Sequence, residues 1–321
     1  MKTKNKLIIL ILLVVLAGCN ITNKTPQTTK PINNKDYLVI YINDNKVYLK
    51  NIKTNESWIV YEPKEVIDFI IPNPTMKVIA YTTKENQNKE KQLKIYDWGK
   101  DQHFEVSSVQ SEMPVITWSG DGCYLMKYES QIGNWGNALI YNFVTQRVSC
   151  ELTSIAEPTW NVDSNRILAH IPQHLQNKIP FDNGNSSTLI VYDVADKEFK
   201  TILEGNEEVI YRSLKWLAEN EIAYRRFNVK SAEEQIHRLN LISGKDDNIT
   251  DKVNELIFVN PPVPKEFYEY QYYQLTADHN FAILCIMSEK LNSIELYNKE
   301  TGKIKNLSSG YCASWVNWKM K

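Results

Sequence analysis

The apolar positions of this chain fall in short runs, each closed by Asn, Asp or Gly, and the punctuation repeats. Two β-forming residues followed by Asn or Asp recur as Leu49-Lys50-Asn51, Ile95-Tyr96-Asp97, Ile140-Tyr141-Asn142, Val191-Tyr192-Asp193, Arg238-Leu239-Asn240 and Leu296-Tyr297-Asn298. The steps between the Asn/Asp positions are 46, 45, 51, 47 and 58 residues. A period of roughly 40–50 residues with several short strands per unit is the mark of a β-propeller. After each phrase comes a hairpin signal, clearest in Glu300-Thr301-Gly302-Lys303 and Ile242-Ser243-Gly244-Lys245.

A second element precedes each phrase: a strand ending in a large apolar residue, a tight turn, then another strand. It reads Trp118-Ser119-Gly120-Asp121-Gly122 before Cys123–Tyr128, and Trp160-Asn161-Val162-Asp163-Ser164 before Arg166–Ile171. Leu275-Thr276-Ala277-Asp278-His279 precedes Phe281–Met287. Trp216-Leu217-Ala218-Glu219-Asn220 is one residue tighter, and Ile71-Pro72-Asn73-Pro74-Thr75 is a degenerate copy. Asn, Asp and Gly supply hairpin turns, and Pro74 has no place in a central strand. Each unit thus reads as four antiparallel strands joined by three hairpins, one propeller blade.

A strand ending Trp-Ser-x-Asp-Gly, then a strand with Tyr-Asp and a Thr-Gly-Lys turn, resembles the β repeat of TolB-like six-bladed propellers. The resemblance spans residues 37–321 and is sharpest over 113–153 and 157–204. It implies an all-β fold of six four-stranded blades. The chain ends bear on the count. Tyr37–Glu62 offers three strands (Tyr37–Ile42, Lys46–Ile52, Ser57–Tyr61) without a Trp-ended first strand, and Cys312-Ala313-Ser314-Trp315 offers that piece. Pairing them completes a sixth blade and removes exposed edges by closing the ring. A five-bladed ring with a frayed end is the alternative.

The first residues set an expected location. Lys2, Lys4 and Lys6 precede an apolar run, Leu7–Leu16. That run is shorter than the roughly 20 residues a spanning helix needs but has the length of a signal-peptide core. It meets Leu16-Ala17-Gly18-Cys19, which resembles the lipobox of bacterial lipoproteins and implies a diacylated Cys19 at the mature N-terminus; an ordinary signal peptide with a chance Cys is the alternative. Two or more acyl chains suffice for stable anchoring. Residues 1–18 are therefore expected to be a signal peptide. Residues 19–36, rich in Asn, Thr, Lys, Gln and Pro, are expected to be a flexible tether.

The chain from Cys19 onward holds 34 Lys and Arg against 38 Asp and Glu. A near-neutral domain of scattered charge argues against nucleic-acid binding, which needs a basic stripe. The Lys84–Lys94 cluster falls where a loop is expected and reads as solvated surface. Beyond Cys19 there are Cys123, Cys150, Cys285 and Cys312, whose spacing fits no metal motif. In the repeat, Cys285 and Cys312 sit on adjacent inner strands and are the one plausible disulfide; free buried thiols are the alternative.

Chemistry is sparse. There is no G-x-S-x-G elbow, P-loop or dinucleotide fingerprint, and no hydrolase domain is expected after the last blade. His170 and His174 are four apart, but Pro172 between them opposes the helix a zinc protease requires. No cofactor and no metal are expected. One polar set does emerge. Immediately before the Trp slot come Ile70, Thr117, Thr159, Lys215, Gln274 and Ser314; three before it come Asp68, Val115, Glu157, Ser213, Tyr272 and Cys312. On inner strands these alternate with apolar Phe69, Ile116, Leu214 and Ala313. Asp68, Glu157 and Lys215 could line an axial channel, as catalytic carboxylates with a partner or as polar packing around water.

Loop lengths are more telling. Connections between second and third strands, and between blades, leave a propeller on one face. On it fall 130–137 with Trp135, 173–187 with Phe181, and 250–270 with Phe258, Phe267 and Tyr268. Long loops on a rigid scaffold carry function, and aromatics are favoured at interface centres; the alternative is that these rings tuck under their own loops. The expectation is a lipid-anchored, extracytoplasmic, monomeric propeller that binds a protein or envelope ligand on this face. An envelope-glycan or peptide-processing enzyme is the second reading.

Overall fold

The computed structural model describes residues 37–84, 91–111, 114–130, 135–161, 165–172, 187–206, 208–252, 272–275, 281–287 and 292–316. Cys19, Phe181, Phe258, Phe267 and Tyr268 lie outside them. The chain divides into two compact units, residues 1–110 with 263–321, and residues 111–262.

The first unit opens with β1 (Leu38–Asn43), β2 (Lys46–Asn51) and β3 (Ser57–Tyr61). Then follow β4 (Ile67–Pro72), β5 (Val78–Thr83), β6 (Lys91–Asp97) and β7 (Gln102–Val109). The second unit holds β8 (Val115–Trp118), β9 (Tyr124–Ser130), β10 (Gly136–Asn142) and β11 (Arg147–Trp160). It continues with β12 (Arg166–Pro172), β13 (Ser187–Asp193), β14 (Glu198–Leu203) and β15 (Val209–Ala218). Its last strands are β16 (Glu221–Asn228), β17 (Glu233–Asn240) and β18 (Asp246–Asn248). The chain returns to the first unit with β19 (Tyr272–Leu275), β20 (Phe281–Met287), β21 (Asn292–Asn298), β22 (Lys303–Ser309) and β23 (Tyr311–Val316). All pairings are antiparallel between neighbours in sequence, with one exception. The exception is β23, which pairs β1 with Val316 opposite Leu38 and Trp315 opposite Val39, as the chain ends led one to expect. Gly310 makes the approach possible: its φ is +144°, and a Cβ there would lie 2.3 Å from the Ile42 carbonyl oxygen.

In the first unit the sheets are β23-β1-β2-β3, β4-β5-β6-β7 and β19-β20-β21-β22. In the second, β15-β16-β17-β18 stands beside a seven-stranded sheet, β14-β13-β12-β11-β10-β9-β8. The sequence led one to expect two separate strands where β11 runs unbroken. Its first part pairs β10 and its last part pairs β12, so β11 is the outer strand of one four-stranded set and the inner strand of the next.

The apolar runs are buried on both faces. In β1, Leu38, Ile40 and Ile42 join Ile67, Ile70, Ile79 and Tyr81 in one core, while Val39 and Tyr41 join Ile283, Ile294 and Leu296 in another. The second unit repeats this: Ile167 and Ala169 pack with Met126 and Ile140, and Leu168 packs with Trp216, Ile222 and Tyr224. Each fully buried aliphatic chain contributes roughly 1.5–3 kcal/mol. Trp160 Nε1 donates to the Thr117 carbonyl at 3.3 Å, and Trp216 Nε1 to the Thr159 carbonyl at 3.1 Å. These bonds tie each inner strand of the second unit to the one before it.

The sixfold phrase is a turn-maker. Every copy ends the third strand of its set, and its Oδ1 accepts backbone N–H groups two or three residues on. Asn51 takes Lys53 (2.9 Å), Asp97 takes Lys100 (3.2 Å) and Asn142 takes Thr145 (2.9 Å). Asp193 takes Ala195 (2.9 Å), Asn240 takes Ser243 (2.9 Å) and Asn298 takes Thr301 (3.1 Å). A short carbonyl or carboxylate side chain is what such a turn requires.

The Trp216 turn is tighter than its counterparts, as its sequence implies, because β15 runs on to Ala218 and β16 starts at Glu221. One local reading differs from expectation. Lys91 and Lys94 are not loop residues but lie on β6, paired with Asp68 and Glu65 at 3.0 and 2.8 Å. Cys285 is a free buried thiol, in line with the free-thiol reading of its sequence. Its burial pushes the thiol up to about 12, against a backbone hydrogen bond from Ala313.

Candidate functional site

Three of the positions that fall three before the Trp slot, Asp68, Glu157 and Ser213, share a backbone defect. In β4 the register skips Asp68, between Ile67 opposite Thr83 and Phe69 opposite Thr82. In β11 it skips Glu157 and Pro158 against one residue, and in β15 Ser213 and Leu214 against one. Glu157 and Ser213 have φ of +50° and +51°. A β-bulge re-aims the side chain it carries, and Pro158 is tolerated in a strand because it falls at one. A glutamate in the left-handed region costs on the order of 1 kcal/mol, and a following proline further disfavours helical conformations.

The second unit gathers groups around Glu157. Its Oε2 lies 3.2 Å from His170 Nε2 and accepts the Ser213 N–H at 3.2 Å. The Leu214 N–H is a further donor to the carboxylate. Two successive amides of the β15 bulge thus form an anion-binding nest filled by a side chain of β11. Burial alone would raise the carboxyl pKa; the His170 hydrogen bond and charge and the two amides outweigh it and hold Glu157 below the usual glutamate range. The Glu157 side chain remains 50 % exposed. His170 is 3 % exposed, and its Nδ1 has no hydrogen-bond partner among the described residues. Thr117 Oγ1 is likewise buried without one.

The other expected channel residues are placed as follows. Asp68, in the first unit, accepts from Lys91 Nζ at 3.0 Å. Lys215 is half-buried on β15, and burial draws its amine down. Glu157, expected to partner Lys215, takes His170 and the β15 amides. Among the described residues no three His, Cys, Asp or Glu gather as a metal site.

Of the expected binding aromatics, Trp135 is described. It is half-buried, immediately before β10. Gly136 fixes the end of its loop, because a Cβ there would lie 2.0 Å from the Glu129 carbonyl oxygen.

His170 is the site residue that the sequence pattern understates, because its spacing from His174 suggests only a helical metal pair. Its strand position, two residues from the buried Leu168 and so on the same face of β12, is the available sign that it points into the protein.

No family model and no curated protein matches the chain. Solved structures do. TolB from Acinetobacter baumannii is 13 % identical, with 88 % of this chain and 67 % of TolB covered and a TM-score of 0.46. The chain resembles TolB-like propellers. The β-propeller domain of the Trilobed protease from Pyrococcus furiosus is 12 % identical over 84 % of this chain and 78 % of that one, TM-score 0.45. Oligogalacturonate lyase from Vibrio parahaemolyticus is 13 % identical over 82 % and 71 %, TM-score 0.41. At such identities the likeness concerns fold alone, and the site above is argued from its own geometry.

Proposed function

We propose that this chain is an exported lipoprotein, anchored through Cys19, whose propeller is a binding scaffold. Six blades make up the ring, with β11 shared between two of them and the β23–β1 pairing closing it. The observation that carries the scaffold reading is the contrast between the two ends of each sheet. At one end, first-to-second and third-to-fourth strand connections are two to five residues long throughout. At the other, second-to-third connections range from two residues (between β1 and β2) to fourteen (between β12 and β13), and 23 residues separate β18 from β19. Uniform turns serve the fold; unequal connections on a constant scaffold are where recognition diversifies. Recognition of a protein or envelope ligand then falls to the elaborated end, with Trp135, Phe181, Phe258, Phe267 and Tyr268 as contact residues.

Photo-crosslinking amino acids at Trp135 and Tyr268, compared with Val144 and Ile242 in the short turns, test this in intact cells. A discrete adduct from the first pair and none from the second is expected. Equal labelling from both pairs would refute recognition at the elaborated end.

A further inference from the structure

Glu157 is over-determined for a purely structural clasp. The inner strands of the second unit are already tied by the Trp160 and Trp216 indole bonds, and Asn161 Nδ2 reaches the Glu219 carbonyl at 3.0 Å. Against that background, β11 holds a glutamate at φ +50° before a proline, and β12 buries a histidine with one ring nitrogen unpartnered among the described residues. Both features cost stability, and strain and orphaned polar atoms of this kind concentrate at functional sites. What they achieve is a carboxylate fixed by three donors yet half exposed.

We propose that Glu157 anchors a primary ammonium group of a ligand, with His170 and the Ser213–Leu214 amides as its positioning groups. A carboxylate accepts about four hydrogen bonds, so with three taken it retains acceptor capacity toward solvent. A divalent cation such as calcium takes six to eight oxygen ligands, and no group of three metal ligands accompanies Glu157 among the described residues. A guanidinium engages a carboxylate through both oxygens at once, but Oε2 already faces His170 and the Ser213 amide. An ammonium needs only a point contact, which is what is left. The group is that of a lysine side chain or of an amino sugar. This inference does not rest on the membrane anchor or on the elaborated end.

The test uses the full chain in detergent and two cationic probes, Nα-acetyl-lysine amide and glucosamine. Their neutral counterparts are Nα-acetyl-norleucine amide and N-acetylglucosamine. Calorimetric titration should show millimolar binding of at least one cationic probe and none of its neutral counterpart. Glu157→Gln should weaken that binding about tenfold, whereas Glu208→Gln, an exposed carboxylate of the same unit, leaves it unchanged. Hydrogen exchange of the peptide spanning Ser213 and Leu214 should slow on adding the binding probe, which needs no variant and so stands if Glu157→Gln misfolds. Binding of the lysine probe alone assigns a peptide ligand; binding of glucosamine alone assigns an amino sugar. Equal binding of charged and neutral probes, unaltered binding by a folded Glu157→Gln, or no slowing of exchange would overturn the proposal.

Discussion

If the repeated Asn/Asp is there to accept backbone hydrogen bonds, the two residues should be interchangeable at each turn while alanine is not. Asp193 is a clean position for the comparison. Its Oδ1 accepts from Ala195 N–H at 2.9 Å and Asp196 N–H at 3.2 Å, and both donors belong to exposed residues. Asp193→Ala removes the acceptor, but water can reach the released donors. The loss should therefore resemble that of a helix cap, about 1 kcal/mol within a range of roughly 0.5–2. For a body of this size that is about 2–4 °C in the thermal midpoint. Asp193→Asn keeps the acceptor and should stay within about 0.5 kcal/mol of the parent. The Asn240→Ala change, at a turn whose Oδ1 takes Ile242 and Ser243 N–H groups at 3.1 and 2.9 Å, should add to it almost independently. Differential scanning calorimetry of the three single variants and the double alanine variant is the assay. An Asp193→Asn loss as large as that of Asp193→Ala would mean that charge, not the turn acceptor, is what the position needs.

Other consequences follow from single contacts. Trp216→Phe deletes the indole donor to Thr159 and leaves that carbonyl without it, so a loss of about 2–4 kcal/mol in urea unfolding is expected. Because the folded Glu157 carboxyl lies below its ordinary value of 4.5, it stabilises the fold above that pH and the benefit drains away as pH falls through the folded pKa. Stability measured from pH 6 down to about pH 3 should therefore fall more steeply in the parent than in Glu157→Gln. The buried Cys285 thiol, pushed up to about 12, should resist maleimide at pH 8 until denaturant is added. Cys19→Ala should release the protein from membranes into the soluble fraction; tight retention would count against lipidation.

How much of this was legible in the sequence depends on how local each cause is. A hairpin is set by a few adjacent residues, so Asn51, Asp97, Asn142, Asp193, Asn240 and Asn298 could be read as third-strand ends. The β23–β1 pairing, although joining the chain's two ends, was legible because one end lacked the strand that the other carried. The unbroken β11 was not, since nothing local to Thr153–Ala156 says whether the chain bends between two strands or continues. The site shows the same division. Period two placed Glu157 among the inner-strand polar residues, but its setting depends on His170, 13 residues away, and on the Ser213 amide, 56 away. A backbone donor has no side chain to betray it, and a bulge that supplies one shifts the register that sequence periodicity assumes. In such a repeat, the alternation finds the residue while the interruption of the alternation decides what that residue meets. The departures at Asp68, Glu157 and Ser213 are therefore more informative about chemistry than the six turns that announce the fold.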